Sequence, residues 1–519
     1  MPRDLSARLY AFGVGLCTAA VAAFVLVQLR AWPPHEDETL ALFVGRQSFG
    51  DLLEIVLGRR GGAPLHFLFA FAVAHLGGGV TALRLFSALF AVGSVPVIAA
   101  LGTRLGGRSV GLGAAVLASG SWVLLFHGVY GRMYSLFLLT SALSYLALER
   151  ALDGGGRRWV WWGLAVLAAI ATHPYGALVL ASQGLYVVLR RVRVREAVFA
   201  FAAVLVAGIP FWRTDLVLAG RFDVGVGGGG EKLGGPIPVL KYLWTVAGDL
   251  SVGYLPALVV VLLVAAAGLV LLARERPTGA LLAGAVFGVP AFAFLAARLG
   301  SQTSPESRHL IFALPFFSTL LALPLVRLGR RVPVAAVAAL LVLLGGEVAW
   351  ADHKTPLLFD GEAPTRVEAR TAASAWLART ARPSDVLFGY DPLFLGAWER
   401  NGALTETIVP RADPKLALSA LRAAPKPLGR GVWVFDASDT NNFSPKLTIP
   451  LRMPRPASAF EARVWGPFLV IRSLEPTRTI RRYLEESRAV ELVGQSIYMG
   501  DADVNVDTVT RALNQIASG

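Results

Sequence analysis

Long apolar runs separated by short arginine clusters constrain this chain more than any other feature. The runs are Leu9–Leu29, Ala82–Thr103, Val110–Phe126, Tyr134–Leu148, Trp159–Thr172, Ala177–Leu189, Ala197–Trp212, Val252–Ala273, Gly279–Ala297, Leu310–Val326 and Val332–Trp350. A helix needs about 20 apolar residues to cross a bilayer. The pattern therefore predicts a polytopic α-helical membrane protein of about eleven spans. Met1–Arg8 resembles the basic start of a signal peptide. The run behind it has no clear small-residue cleavage site, so it reads as a retained first helix.

Charge tests the count. Arg104/Arg108, Arg150/Arg157/Arg158, Arg190/Arg191/Arg193/Arg195, Arg274/Arg276 and Arg327/Arg330/Arg331 fall in alternate connections. With Arg3 and Arg8 they share one side if the N-terminus is cytoplasmic. An odd count then puts the C-terminus outside the plasma membrane. The net charge of +14 follows this positive-inside pattern, so it marks membrane topology and not nucleic acid. Pro64–Leu76 is apolar but short, and counting it as a span would invert every later loop. It reads as a re-entrant or interfacial helix of a first external loop, about residues 31–81, with Phe49–Leu57 as a second amphipathic piece.

Residues 351–519 differ in kind. They hold no membrane-length run and are richer in Pro, Asp, Glu and Arg. Residues 385–391, 431–438 and 468–474 read as buried strands, and 366–381 and 476–488 as helices. The expectation is a membrane domain over 1–350 and a soluble α/β domain over 351–519, outside the membrane. The single cysteine, Cys17, excludes an intramolecular disulfide and a cysteine-rich metal site.

On the predicted topology the polar stretches "HEDE" (35–38), "HGVYGRMY" (127–134), "THPYG" (172–176) and "SQTSPESRHL" (301–310) all lie outside, with the Gly-rich connection from Arg213 to about Pro238. Asp37 and Glu38 are either solvated acids at a helix start or, held partly desolvated, a general base. Arg132 and Tyr134 suit an interfacial anchor or a site. Arg84 and Arg308 sit near the starts of their spans, where a cation opposes the helix dipole. That placement hints at an anionic partner, and arginine grips phosphate by paired hydrogen bonds. His35, His66, His173 and His309 are all external. They permit a divalent cation, but no tight metal-ligand spacing supports one. "GVGGGGEKLGG" (225–235) lacks the Gly-Lys-Ser/Thr of a nucleotide loop and reads as a lid or linker.

Taken in order, "HEDETLALF", "APLHFLF", "LRLFSALFAVGSVPVIAALGTRLGG", "YGRMYSLFLLTSALSYLALERAL", "THPYG" and "ESRHLIFALP" cover roughly Leu9 to Leu325. The chain thereby resembles the GT-C superfamily of membrane glycosyltransferases, in the branch of protein O-mannosyltransferases and the lipid A aminoarabinose transferase. The resemblance implies a sugar donor on a polyprenyl phosphate and an acid/base within an Asp-Glu pair, here Asp37-Glu38. The family's "PPL" stretch near the lipid phosphate matches Ala63-Pro64-Leu65, where the first proline is missing and no lysine precedes it. Arg59 and Arg60 stand in that place. The family's Arg-Tyr pair before the late "LP" span appears as Arg308-His309.

The resulting reading is an inverting transferase that needs no nucleotide cofactor. Asp37 is the base and Glu38 its assistant. Arg132, Arg308, Arg59, Arg60 and Arg84 hold phosphate. His35, His66, Tyr134, His173, Tyr175 and His309 line the substrate. The acceptor is a protein, lipid or glycan hydroxyl, and residue usage suggests a bacterium of high genomic GC. The competing readings are a transporter or flippase of an anionic lipid-linked substrate, and a membrane-anchored binding or assembly protein.

Overall fold

The computed structural model describes residues 5–32, 36–223, 235–296, 306–359, 364–388, 398, 401–409, 414–436, 455–498 and 506–518. Two compact units divide it. The first is Met1–Trp32 with Leu40–Leu357, and the second is Pro33–Thr39 with Leu358–Gly519.

The first unit is helical. It begins with α1 (Ala7–Gln28), the part of α2 (Glu36–Gly45) from Leu40 on, α3 (Phe49–Glu54) running into a π-turn at Ile55–Arg60, and α4 (Pro64–His75). Next come α5 (Val80–Gly106), α6 (Arg108–Gly120), α7 (Trp122–Val129), α8 (Tyr134–Gly154), α9 (Arg158–Thr172) and α10 (Gly176–Arg190). Then follow α11 (Val194–Ala207), α12 (Ile209–Asp223), α13 (Pro236–Leu250), α14 (Ala257–Glu275) and α15 (Pro277–Ala296). A 3-10 helix (Ser307–Ala313) leads into α16 (Leu314–Gly329), and α17 (Pro333–Phe359) closes the unit.

Among the described residues, seven helices are long and apolar enough to cross a membrane, or nine if each of two bent pairs is one span. Reaching the predicted eleven requires α9 and α10, which at 15 residues each are shorter than the hydrocarbon core demands. One bent pair is α6 and α7, which meet at 58° where Ser121 takes an extended conformation. The other is α11 and α12, at 55°, broken where Pro210 begins α12 and cannot continue the preceding hydrogen-bond ladder. The sequence reading took each pair as one straight run. It also began the Gly-rich connection at Arg213, whereas α12 continues to Asp223 and α13 starts at Pro236; residues 224–234 lie outside the described residues.

Large apolar side chains face outward on α1 and α17, with Phe12 72% and Val342 74% exposed. Such a surface suits lipid and not water. By contrast, α8 and the Ser307–Gly329 span are each 78% buried, so they form the centre of the bundle. A polar chain ties the centre together. Trp162 Nε1 donates to Gln183 Oε1 at 2.7 Å, and Gln183 Nε2 donates to Ser144 Oγ at 2.7 Å, joining α9, α10 and α8. In lipid, where no water competes, such links hold helices together. The last span carries one exception to its apolar reading: Glu347 is buried midway along α17.

The arginine connections gather at one end of this unit. Arg104 pairs with Asp153 and, at 3.7 Å, with Glu149. Arg190 reaches Glu149 at 3.4 Å, Arg276 donates to the Arg104 carbonyl at 2.8 Å, and Arg327 pairs with Glu275. Along α8, Tyr134 and Asp153 are 19 residues apart, roughly 28 Å of helix. Residues at the Tyr134 end therefore lie a membrane's thickness from those arginines.

The second unit is a three-layer α/β domain. Its sheet runs β2 (Thr407–Val409), β1 (Val386–Phe388), β3 (Gly431–Asp436), β5 (Phe468–Ser473), β4 (Phe460–Trp465), and the pairings β1–β2 and β1–β3 are parallel, the other two antiparallel. Alternate residues feed two cores. Leu387, Val432, Val434 and Val470 meet Ala373, Trp376 and Leu377 of α18 (Pro364–Thr380). Phe388, Trp433, Phe435 and Ile471 meet the helices that start at Pro414, Ile480 and Val506. Strands covered on both faces read as continuous apolar runs. That is why β1, β3 and β5 were legible within 385–391, 431–438 and 468–474; residues 389–391 and 437–438 lie outside the described residues. Three-residue β2 and the half-exposed β4 were not. Buried bidentate pairs, Arg430 with Asp385 and Arg455 with Glu486, staple this domain.

Candidate active site

Three chain segments, all in the first unit, bring polar side chains together at the end opposite the arginine loops. Arg132 and Tyr134 lie where the short turn after α7 enters α8. His173 and Tyr175 form the turn that ends α9, where Pro174 cannot extend the helix. Arg308 and His309 ride on the 3-10 helix. The rings converge. His173 and His309 are 5.1 Å apart, Tyr134 is 5.6 Å from His173 and 6.0 Å from His309, and Tyr175 is 5.1 Å from His309. Arg132 and Arg308 lie 5.0 and 5.3 Å from the centre of the Tyr134 ring. His127, 4.8 Å from Tyr134, also borders the group. Six residues singled out from sequence thus meet in one place: Arg132, Tyr134, His173, Tyr175, Arg308 and His309.

The hydrogen bonds fix what these groups can do. The backbone N–H of Tyr175 donates to Nδ1 of His173 at 3.1 Å, and that of Glu306 donates to Nδ1 of His309 at 3.1 Å. A neutral imidazole that accepts at Nδ1 carries its proton on Nε2. Both rings are therefore set as donors. Burial, and then the guanidinium groups of Arg308 and Arg132, lower the His173 pKa to about 3, so the ring is neutral at physiological pH. Burial pushes the Tyr175 hydroxyl up, and it too stays a donor. Arg308 pairs with Glu306, while its buried Nε has no hydrogen-bond partner among the described residues. Fixed donors in a largely buried setting favour an anion.

A second group, missed in sequence, holds the Arg308 turn. Asp249 at the end of α13 is fully buried. It accepts from Lys354 and from the Ser307 hydroxyl, and from Trp350 Nε1 at 3.2 Å. Lys354 also lies 4.1 Å from the centre of the Trp122 ring. Two turns earlier on α13, the Tyr242 hydroxyl donates to the Glu306 carbonyl at 3.1 Å. Thus α13 grips residues 306 and 307 at two points. The signal in the sequence was an isolated acid in "WTVAGDL", near the end of a mainly apolar stretch, which no motif marked.

The other predicted residues have different surroundings. Arg84 is buried, and its guanidinium donates to the carbonyls of Leu29 and Trp32 at 2.8 and 2.9 Å. Leu29 caps α1, so its carbonyl has no helical partner, and Trp32 lies just beyond the helix. The cation near the start of α5 thus also faces the carbonyl end of α1. It fixes the exit of α1, from which the carboxylate segment starts. His66 is buried on α4 against Phe67. Asp37 and Glu38 open α2, where Glu38 is fully buried; the Asp37 side chain lies outside the described residues, as do His35 and the side chains of Arg59 and Arg60. Those two arginines end the π-turn, ahead of Gly61, Gly62 and Ala63, all with positive φ. A Cβ on Gly61 would sit 2.3 Å from the Thr214 carbonyl of α12, so only glycine permits this approach. Among the described residues no three His, Cys, Asp or Glu side chains form a metal-binding group.

No family profile matches the chain, and no curated protein matches it in sequence. Solved structures do match. ArnT from Cupriavidus metallidurans in the apo state superposes with a TM-score of 0.60 at 15% identity, covering 88% of this chain and 97% of that one. Its form bound to undecaprenyl phosphate gives 0.58 at 14% identity, with the same coverage. The chain has the GT-C fold. An Archaeoglobus fulgidus oligosaccharyltransferase, tethered to an acceptor peptide containing the NVT sequon, gives 0.51 at 10% identity, covering 84% of this chain and 70% of that one. At these identities the likeness is one of fold. This fold is the one that the resemblance of the membrane unit implied.

Proposed function

We propose that this protein transfers a sugar from a polyprenyl-phosphate-linked donor to a hydroxyl acceptor at the outer face of the plasma membrane. The observation that carries the reading is the cluster of Arg132, Arg308, His173 and His309, all presented as donors in a buried setting. Glycosyl transfer from a phospholipid builds negative charge on the departing phosphate, and preorganised donors lower that barrier. The ArnT structure holds undecaprenyl phosphate, and the oligosaccharyltransferase carries an acceptor peptide. Both ligand classes suit the same scheme here.

In that scheme Asp37 takes the proton of the acceptor hydroxyl, and Glu38 orients it. The acceptor oxygen bonds to the anomeric carbon as the bond from that carbon to the phosphate oxygen breaks. The electron pair leaves with the phosphate, held by Arg308 and Arg132, and Arg59 and Arg60 guard the same phosphate from the first loop. His173, His309, Tyr134 and Tyr175 shape the sugar pocket, with His35 and His66 at its margin. One displacement inverts the anomeric centre, and the phosphodiester supplies the energy. The N-terminus is cytoplasmic, and the domain over 351–519 faces the periplasm or exterior, where the acceptor arrives.

The test uses purified full-length protein and native membrane lipids, with release of polyprenyl phosphate as the readout. A general base contributes about 10²–10⁴-fold. Asp37→Asn is expected to lose release by that factor while the melting profile is kept. Equal release from both proteins removes Asp37 from the mechanism.

One observation favours transport instead. Glu347 is 1% exposed, and its Oε2 has no hydrogen-bond partner among the described residues. Intramembrane carboxyls mark ion and proton paths. Lipid-linked substrate flux in proteoliposomes, lost in Glu347→Gln and kept in Asp37→Asn, would decide for a transporter.

A further inference from the structure

The arginine end of the bundle also holds a cleft. It has a volume of about 340 Å³ and is lined by Ala100, Thr103, Arg104, Leu146, Arg150 and Arg276. Three elements build it: the last turns of α5 and of α8, and the connection between α14 and α15. Its floor is rigid. Arg104 is held by Asp153 and Glu149, and Arg276 is laid against it by a 2.8 Å bond to its carbonyl. Thr103 Oγ1 is tied to Ala99 and Tyr10 at 2.8 and 3.0 Å.

The charge does not balance. Glu149 and Asp153 are shared between Arg104 and Arg190. Arg150 and Arg276 have no carboxylate partner among the described residues, and both line the cleft. Two uncompensated guanidinium groups thus face one opening, with Ala100 and Leu146 as an apolar wall. The opening lies at the level where the helices end, which in a bilayer is the headgroup layer. Guanidinium forks match phosphate oxygens, and basic pockets between spans on the cytoplasmic side take anionic headgroups.

We propose that this cleft binds the phosphate of an anionic phospholipid, at the face opposite the candidate active site. The phosphodiester sits between Arg150 and Arg276, with Arg104 behind it, and the acyl chains follow the apolar wall. The site is separate from the polyprenyl-phosphate reading and stands if that reading falls.

The test measures lipid retention by the delipidated full-length protein after incubation with phosphatidylcholine vesicles doped with phosphatidylglycerol. The wild type is expected to enrich phosphatidylglycerol. Each arginine near an anionic surface contributes about fivefold in binding, so Arg150→Gln/Arg276→Gln should lose roughly 25-fold. Arg157→Gln/Arg195→Gln, arginines of the same end outside the cleft, should keep the enrichment. Arg150→Lys retains charge without the fork and should fall between. Equal retention by all variants overturns the site, and so does an equal loss in both double variants, which would mean diffuse attraction. A third arm adds inorganic phosphate. If phosphate alone binds wild type, fails on the cleft variant and displaces the lipid, the ligand is the free anion and the lipid assignment is wrong.

Discussion

Arginine is placed at both ends of the membrane bundle, and its surroundings differ. At the loop end, Arg104 and Arg190 share Glu149 and Asp153, and Arg327 pairs with Glu275. At the other end, Arg132 and Arg308 stack on Tyr134 beside two histidines already committed as donors. Arg308 also pairs with Glu306 there, while the buried Asp249 is neutralised by Lys354. A guanidinium matched by carboxylates sets topology and ties loops together. One that keeps a buried Nε–H without a partner among the described residues, beside further donors, is poised for an anion even where a carboxylate such as Glu306 also touches it. Residue type alone does not separate these roles. The local balance of donors and acceptors does.

Removing one arginine from each end tests that contrast most directly. Arg308→Gln should lower polyprenyl phosphate release by about 10²–10³-fold, the scale of losing one transition-state donor. Arg327→Gln removes a partly exposed pair worth at most about 1 kcal/mol and should leave release unchanged. Equal loss from both would mean that the two ends are alike and the contrast is false.

A smaller effect on release, with a larger one on stability, is expected one layer out. Asp249→Asn leaves Lys354 facing a neutral, buried partner, and breaking such a pair costs about 3–5 kcal/mol. The melting midpoint should fall, and release should fall with it as residues 306 and 307 lose a hold. Asp249→Asn/Lys354→Met removes both charges and should regain much of the stability. If activity returns fully as well, the grip on Ser307 is dispensable and only the buried charge mattered.

How much of this was legible beforehand follows from the physics of each part. Apolar length and arginine alternation report on transfer into lipid, a property of local sequence, so the membrane class and most span positions were readable. Bends were not. Pro210 and Ser121 break helices only in context, so α6–α7 and α11–α12 each read as one straight run. Six site residues were found because polar groups at span ends are rare enough to stand out. Arg84 stood out for the same reason, and its bonds to the carbonyls of Leu29 and Trp32 are ones that no sequence pattern displays. Asp249 and Lys354 are 105 positions apart, and only folding makes them one feature. The outer sheet shows the same divide. β1, β3 and β5 were plain and the half-exposed β4 was silent, while β2, covered on both faces like β1, was silent too.

The subtlest expectation concerns pH at the donor cluster. His173 has its pKa lowered from 6.5 to about 3 by burial and then by Arg308 and Arg132. The unfolded chain therefore binds a proton below 6.5 that the folded chain refuses, and stability is lost as pH falls through that window. Carboxylates elsewhere weaken the protein in the same direction, so the wild type alone is not diagnostic. The comparison is with His173→Asn, whose side-chain oxygen can accept the Tyr175 N–H in place of Nδ1. This variant should melt less steeply with pH below 6.5 than the wild type, while Arg308→Gln should lie between them. Superimposed pH profiles would mean that His173 is not held neutral by its surroundings. The donor assignment of the whole cluster would then have to be reversed, with the ring able to carry a proton to the departing phosphate instead of merely pointing one at it.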